Sequence, residues 1–200
     1  MRPYSKKYEI IFMPHKFHPK KAKHLDSIWR KVFLPPDKVL HAIGLKSNDI
    51  FLDIGAGTGF FAIPASKMLT EGKVIACDTQ EEMLQLLSHK IKEQNITNID
   101  IIHSQENNPL VPQEMATRAF MSFVLHEVEN KKEMLGNIYR ALKKGGAIAI
   151  IEFSKCAIFG PPHSERISPE RLKKLLEETG FTGITVTRLN PSTYMAIAHK

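Results

Sequence analysis

The sequence predicts an α/β fold: a doubly wound, mostly parallel sheet with helices on both faces. Three observations carry this. Short apolar runs alternate with helical patterns along most of the chain. Two of the runs, 50–54 and 147–153, are almost continuously apolar, as strands covered on both faces must be. The first of them leads into a glycine-rich turn, in "FLDIGAGTGFF" at 51–61, followed by a helical pattern. Sheets of this kind bind ligands beyond the carboxyl ends of their strands, where the winding reverses.

The elements follow in order. Prolines at 3, 14 and 19 break residues 1–18, which read as a mobile N-terminal extension ahead of one domain over 19–200. "MPHKFHP" at Met13 has the look of a translation start. Residues 20–29 pattern as an amphipathic helix. "PPDKVLHAIGL" starts a second helix with Pro36 and Asp37 in its first turn, and Gly44 stops it. "DIFLDIG" is the first strand. "FFAIPASKML" is helical, with Pro64 tolerated in the first turn. "GKVIACD" is the second strand, and "QEEMLQLLSHKIKEQ" a helix with Met83, Leu84, Leu87 and Ile91 on one face. "NIDIIHS" and "RAFMSFVL" are strands three and four. "KKEMLGNIYRALKKGG" reads as one helix with lysines in its last turn and a glycine stop. "AIAIIEF" is strand five. Ser168 caps the helix of "SPERLKKLLEETG", and "GITVTRLNPSTYMAIAHK" forms a hairpin broken at Asn190–Pro191.

The bulk numbers narrow the function classes. The 200 residues suffice for one sizeable core, and no run is apolar over the length of a membrane span. The N-terminus has no apolar signal core, so a cytoplasmic protein is expected. Two cysteines, Cys77 and Cys156, make no disulfide framework, and no spacing of Cys and His points to a metal. The net charge of +7 admits a nucleic-acid partner, but much of the excess lies between Arg2 and Lys31. No basic and aromatic residues alternate in the body of the chain, so nucleic acid is not favoured.

The glycine turn decides which ligand to expect. A dinucleotide loop prefers G-x-G-x-x-G. Here Gly55, Gly57 and Gly59 alternate, so the third glycine comes one residue early and Phe60 takes its place. Asp53 stands two residues before Gly55, where a pyrophosphate would not want a carboxylate. A cationic, amine-bearing ligand suits it, and S-adenosylmethionine has a sulfonium, an ammonium and no phosphate. The ligand's own carboxylate would use N–H groups of the turn. Asp78 closes the second strand at a solvent-facing end, about twenty residues on, as expected of a ribose-binding acid, a role compatible with capping the next helix. Met83 reads either as a thioether packed on adenine or as ordinary core. Gln105 or Glu106 in "HSQEN" would reach the adenine edge.

With "LDIGAGTGF", "VIACDTQEEML", "FVLHEV", "LKKGGAIAIIEF" and "ERISPERLKKLLEETGF" in place, the chain resembles the class I S-adenosylmethionine-dependent methyltransferases over residues 34–200. It is most similar to the small branch related to ubiquinone/menaquinone-biosynthesis C-methyltransferases. The resemblance implies a Rossmann-like, seven-stranded sheet with the last strand antiparallel. It also implies Ala56, Phe60, Thr79, Ser122 and Phe123 as cofactor contacts beside the residues above. The chain departs from the family pattern at Thr117 and Ser104, both near positions where members often have aspartate.

His126, after strand four, reads as a base or acceptor-orienting group, or as a helix-start histidine bonded to a neighbouring carbonyl. Cys156 reads as an inert thiol. The amine-methylating signature is absent where "SFVLHE" stands. The expected function is methyl transfer to a small-molecule acceptor by a monomer or homodimer, giving S-adenosylhomocysteine. The acceptor pocket is expected between the N-terminal helix, "VLHEV" and "IFGPPHSERI". The rivals are an NAD-linked oxidoreductase, a cofactor-binding protein without turnover and an RNA methyltransferase.

Overall fold

The structure, a computed structural model, describes residues 32–200. The expected mobile stretch 1–18, the helix at 20–29 and the start-like Met13 lie outside the described residues. Helix α1 is Pro36–Ala42, with a proline in its first turn and Gly44 at a φ of 69° just beyond it. Strand β1 (Ile50–Ile54) leads through the glycine turn to α2 (Ala62–Met68). Strand β2 (Lys73–Asp78), helix α3 (Glu81–Glu93) and strand β3 (Ile99–His103) follow. Then come β4 (Ala116–Ser122), α4 (Lys131–Ala141), β5 (Leu142–Phe153), α5 (Pro169–Glu178) and the hairpin β6 (Thr182–Asn190) and β7 (Thr193–His199).

The seven strands lie in the order β3-β2-β1-β4-β5-β7-β6. Strands β1 to β5 pair in parallel, and β7 runs antiparallel to both of its neighbours. The winding reverses between β1 and β4, which puts the ligand crevice at their carboxyl ends.

Alternation along each strand builds two cores. Leu52, Ile54, Ile75, Met121, Ile148 and Ile150 point to the face covered by Leu135 and Ile138 of α4 and by Leu172 and Leu176 of α5. Phe51, Val74, Ala76, Phe120, Ala149 and Ile151 point to the other, covered by Leu40 of α1, Ala65 of α2 and Leu87 of α3. Both faces are buried, which is why the strand sequences read as unbroken apolar runs. Among the described residues no helix is long and apolar enough to cross a membrane.

Two boundaries differ from the sequence expectation. The fourth helix stops at Ala141, and "LKKGG" belongs to β5 rather than to a last helical turn. Leu142 is fully buried, extended at φ −74° and ψ 139°, and pairs with Ala116. Burying that leucine in the sheet outweighs the helical propensity of the two lysines after it. Strand β4 ends at Ser122 rather than running on through Leu125. Phe123 adopts a φ of 60°, and Leu125–Glu127 form one 3₁₀ turn.

Candidate active site

The carboxyl ends of β1, β2, β4 and β5 converge on the glycine turn. Its backbone folds back onto β2: Gly55 and Ala56 both donate to the Cys77 carbonyl, at 2.8 and 2.9 Å, and Gly59 donates to the Ala56 carbonyl at 2.9 Å. The N–H of Gly57 donates to Asp78 Oδ2 at 2.8 Å. These four N–H groups are therefore engaged within the protein and are not the ones open to a ligand carboxylate. Gly55 is at a φ of 73°, and a side chain there would be driven into Val124. Gly57, at a φ of 55°, presents bare backbone at the centre of the turn. Lys90 of α3 closes the far side by donating to the Thr58 carbonyl at 3.0 Å.

Asp78 is 7% exposed, not solvent-facing as the sequence reading had it. Its Oδ1 accepts the Gln80 N–H at 2.9 Å, opening α3 as well as gripping the turn. Burial pushes the carboxyl above its ordinary pKa, against the backbone donors of Gln80, Gly57 and Thr79 and the nearby His103. Asp53, two residues before the turn, is 3% exposed. Ala56 and Phe60 are buried, and Phe60 stands edge-on to Phe61 at 5.0 Å. Thr79 is exposed and its carbonyl faces His103 Nε2 at 3.1 Å. Ser104 donates its N–H to the Asp78 carbonyl at 2.9 Å, so the loop after β3 starts against the acid. Gln105 and Glu106 are exposed on a tight turn closed by Gln105 and Asn108. Met83 is 1% exposed, held with the apolar face of α3.

The hydroxyl of Ser122, at the end of β4, is buried and makes no hydrogen bond among the described residues. Phe123 stacks on Phe153 at 4.2 Å, Phe153 meets Phe159 edge-on at 6.1 Å, and Phe159 meets Phe33 at 6.3 Å. Together they form an aromatic wall running outward from the strand ends. The loop of that wall is held from inside by Arg166, which donates to the carbonyls of Ala157 at 2.6 Å, Pro161 at 2.9 Å and Lys155 at 3.2 Å. Phe159 of "IFGPPHSERI" and Phe33 thus join a wall that starts at Phe123, next to "VLHEV" in the chain; the N-terminal helix of the expected pocket lies outside the described residues.

His126 is not bonded to a neighbouring carbonyl. Its Nδ1 lies 2.8 Å from Glu152 Oε2, and its backbone N–H donates to Glu152 Oε1 at 3.1 Å. The imidazole is 6% exposed and the glutamate fully buried. Burial alone would lower the histidine's pKa. The hydrogen bond and charge of Glu152, joined by Glu127 and Glu165, outweigh it and raise the pKa above the ordinary imidazole value. Sequence reasoning missed Glu152 and Arg166. The signal for Glu152 was present: one carboxylate inside the apolar run "AIAIIEF". Arg166 carried no local signal.

Comparison with known proteins agrees with this geometry. Residues 24–164 match the model of the ubiE/COQ5 methyltransferase family. The crystal structure of an S-adenosylmethionine-dependent methyltransferase from Aquifex aeolicus superposes with a TM-score of 0.86 and 33% identity, covering 92% of this chain and 98% of that one. The ubiquinone/menaquinone biosynthesis C-methyltransferase UbiE of Marinomonas sp. is 31% identical over 127 residues, which are 62% of this chain but 48% of the relative. Its namesake from Photorhabdus laumondii is 26% identical and is covered over 75% of its length. The chain is a member of the ubiE/COQ5 methyltransferase family, an S-adenosylmethionine-dependent enzyme by family and by fold.

Proposed function

We propose that this chain transfers a methyl group to a small-molecule acceptor of the quinol class and leaves S-adenosylhomocysteine. The observation that carries the reading is the bond between Asp78 and Gly57, which joins a buried acid to bare glycine backbone at the reversal of the sheet.

The residues present fit the cofactor. With Gly57, Gln80 and Thr79 as backbone donors, Asp78 keeps one lone pair for a ribose hydroxyl, and the glycines keep side chains out of the turn. Ser122 brings a buried hydroxyl still in need of a partner. Asp53 sets a negative group behind the turn, which suits an ammonium. Ala56, Gly59, Phe60, Thr79, Met83, Gln105, Glu106 and Phe123 complete the proposed lining, with Met83 contributing from within the core.

When bound, the cofactor supplies a methyl group already activated by its sulfonium. The protein's task is then alignment and the exclusion of water. The aromatic wall of Phe123, Phe153 and Phe159 offers flat apolar surface for a ring-shaped acceptor. Methylation at carbon replaces a C–H bond with a C–C bond and releases one proton, which His126 takes. The quinol class is supported by the names of the relatives, among them a demethylmenaquinone methyltransferase of Lactobacillus johnsonii, 27% identical over 194 residues.

The test is incubation with methyl-labelled S-adenosylmethionine and reduced demethylmenaquinone, with bulk RNA as a parallel arm. Label should pass to the organic phase with one S-adenosylhomocysteine per methyl transferred. Label in RNA alone, or in neither, would overturn the reading.

A further inference from the structure

We propose that Glu152 is the positioning residue of this site: it holds the imidazole of His126 with the proton on Nδ1, so that Nε2 is the nitrogen that accepts the proton released by the acceptor. This rests on the role of His126 proposed above and deepens it.

The argument starts from where the glutamate sits. Glu152 follows residues 148–151, whose side chains serve the two cores, and it is fully buried. A carboxylate in that place must be matched by donors, or its burial would cost several kcal/mol. Both of its oxygens are matched by one residue. Oε1 takes the backbone N–H of His126 at 3.1 Å, and Oε2 faces the ring Nδ1 at 2.8 Å. A carboxylate only accepts, so Nδ1 must carry hydrogen. In the neutral ring that leaves the lone pair on Nε2.

The grip on backbone and ring together fixes both the place and the tilt of the imidazole. The middle residue of the 3₁₀ turn, His126, is anchored to β5, while Val124, two residues earlier, lies where a side chain at Gly55 would go. The ring is thereby tied to the same turn that faces the cofactor. Its other surroundings are consistent with a proton acceptor. Glu127 Oε1 is 3.9 Å from Nε2, beyond hydrogen-bond reach, so Nε2 is not consumed by it. Phe153 lines the ring edge-on at 5.9 Å. The titratable groups facing the pair are Glu127, Glu165, Lys131, whose ammonium donates to the Val128 carbonyl at 2.7 Å, and Tyr194, opposite Glu152 on β7. When Nε2 takes a proton, the imidazolium and Glu152 form an ion pair inside the protein, and the proton leaves later to solvent from the same nitrogen. Carboxylate-held histidines work in this way in hydrolytic triads.

A purely structural glutamate would tie β5 to the turn without governing protonation. The two are separated by long-range ¹H–¹⁵N correlation spectroscopy of the full chain labelled at histidine, titrated with pH, with the His126 signal identified by its loss in His126→Asn. The expected result is a neutral form protonated at Nδ1, and in Glu152→Gln a His126 pKa that falls below its wild-type value. With reduced demethylmenaquinone as acceptor, the acidic limb of kcat should move to lower pH in Glu152→Gln, with the Kd for S-adenosylmethionine unchanged. A neutral wild-type form protonated at Nε2, or a titration of His126 that Glu152→Gln leaves unmoved, would overturn the proposal. So would an unshifted pH profile in the variant. The wild-type tautomer needs no variant, so failure of Glu152→Gln to fold does not protect the proposal. The spectra also need no acceptor: a correct tautomer with no methyl transfer would count against the proposed reaction alone.

Discussion

Asp78 Oδ2 accepts the N–H of Gly57 at 2.8 Å, so the acid that closes β2 and the centre of the glycine turn behave as one unit. Gly57 holds a φ of 55°, a region closed to β-branched side chains. Gly57→Val should abolish S-adenosylmethionine binding in calorimetry while leaving the helical circular-dichroism signal in place. Near-native affinity in that variant would remove the turn from the site.

At the opposite ends of the same strands, Thr117 has a structural task. Its hydroxyl donates to Asp49 Oδ1 at 2.7 Å and accepts the N–H of Ile50 at 2.9 Å. Asp49 is 6% exposed, and valine in place of the threonine would strip both bonds without changing the shape much. Thr117→Val should lower the unfolding free energy in a urea titration by about 1–3 kcal/mol. Cofactor affinity should stay the same; a parallel loss of affinity would show that the two ends of the sheet are coupled.

Arg166 holds the loop of the aromatic wall by its carbonyls. Arg166→Ala should speed hydrogen exchange at the amides of residues 154–160 and raise KM for the acceptor, with little change for the cofactor. Unchanged exchange would mean the loop holds its shape by other contacts.

The pH dependence of stability follows from His126. Its pKa is raised in the folded chain, because the bond and charge of Glu152, with Glu127 and Glu165, outweigh the opposing effect of burial. The folded state therefore favours the protonated ring. The stabilisation is fully present below the ordinary imidazole pKa of about 6.5 and is lost as pH rises through the folded value. The difference in unfolding free energy between wild type and His126→Gln should be larger in mildly acidic than in alkaline buffer. A difference that grew with pH would reverse the assigned sign.

The layered α/β architecture was legible because both faces of the sheet are covered. Runs such as "FLDI" and "AIAIIEF" then show their burial directly. The caps were legible where a local side chain does the work, as Ser168 does in accepting the Arg171 N–H at 3.2 Å. The start of β5 was not. Leucine and lysine favour a helix locally, and only the pairing of Leu142 with Ala116, 26 residues away, selects the strand. The site divided in the same way. Asp53, Asp78 and the glycines announce themselves by spacing along one chain segment. The partnership of His126 with Glu152 spans the same separation and exists only once β4 and β5 are side by side. The buried state of Asp78 was hidden for a related reason, since the groups that cover it come from the turn and from the loop after β3.

The central claim, an S-adenosylmethionine site built on Asp78 and the glycine turn, is tested most directly by isothermal calorimetry of the wild type and of Asp78→Ala with S-adenosylmethionine, with NAD as a control. The wild type should bind S-adenosylmethionine at one site per chain and show no comparable heat with NAD. Asp78→Ala should weaken binding by about 1.5–3 kcal/mol, roughly ten- to a hundredfold. It should also melt earlier, because the Gly57 and Gln80 N–H groups lose their acceptor. Preference for NAD, or an affinity for S-adenosylmethionine that the substitution leaves untouched, would contradict the account.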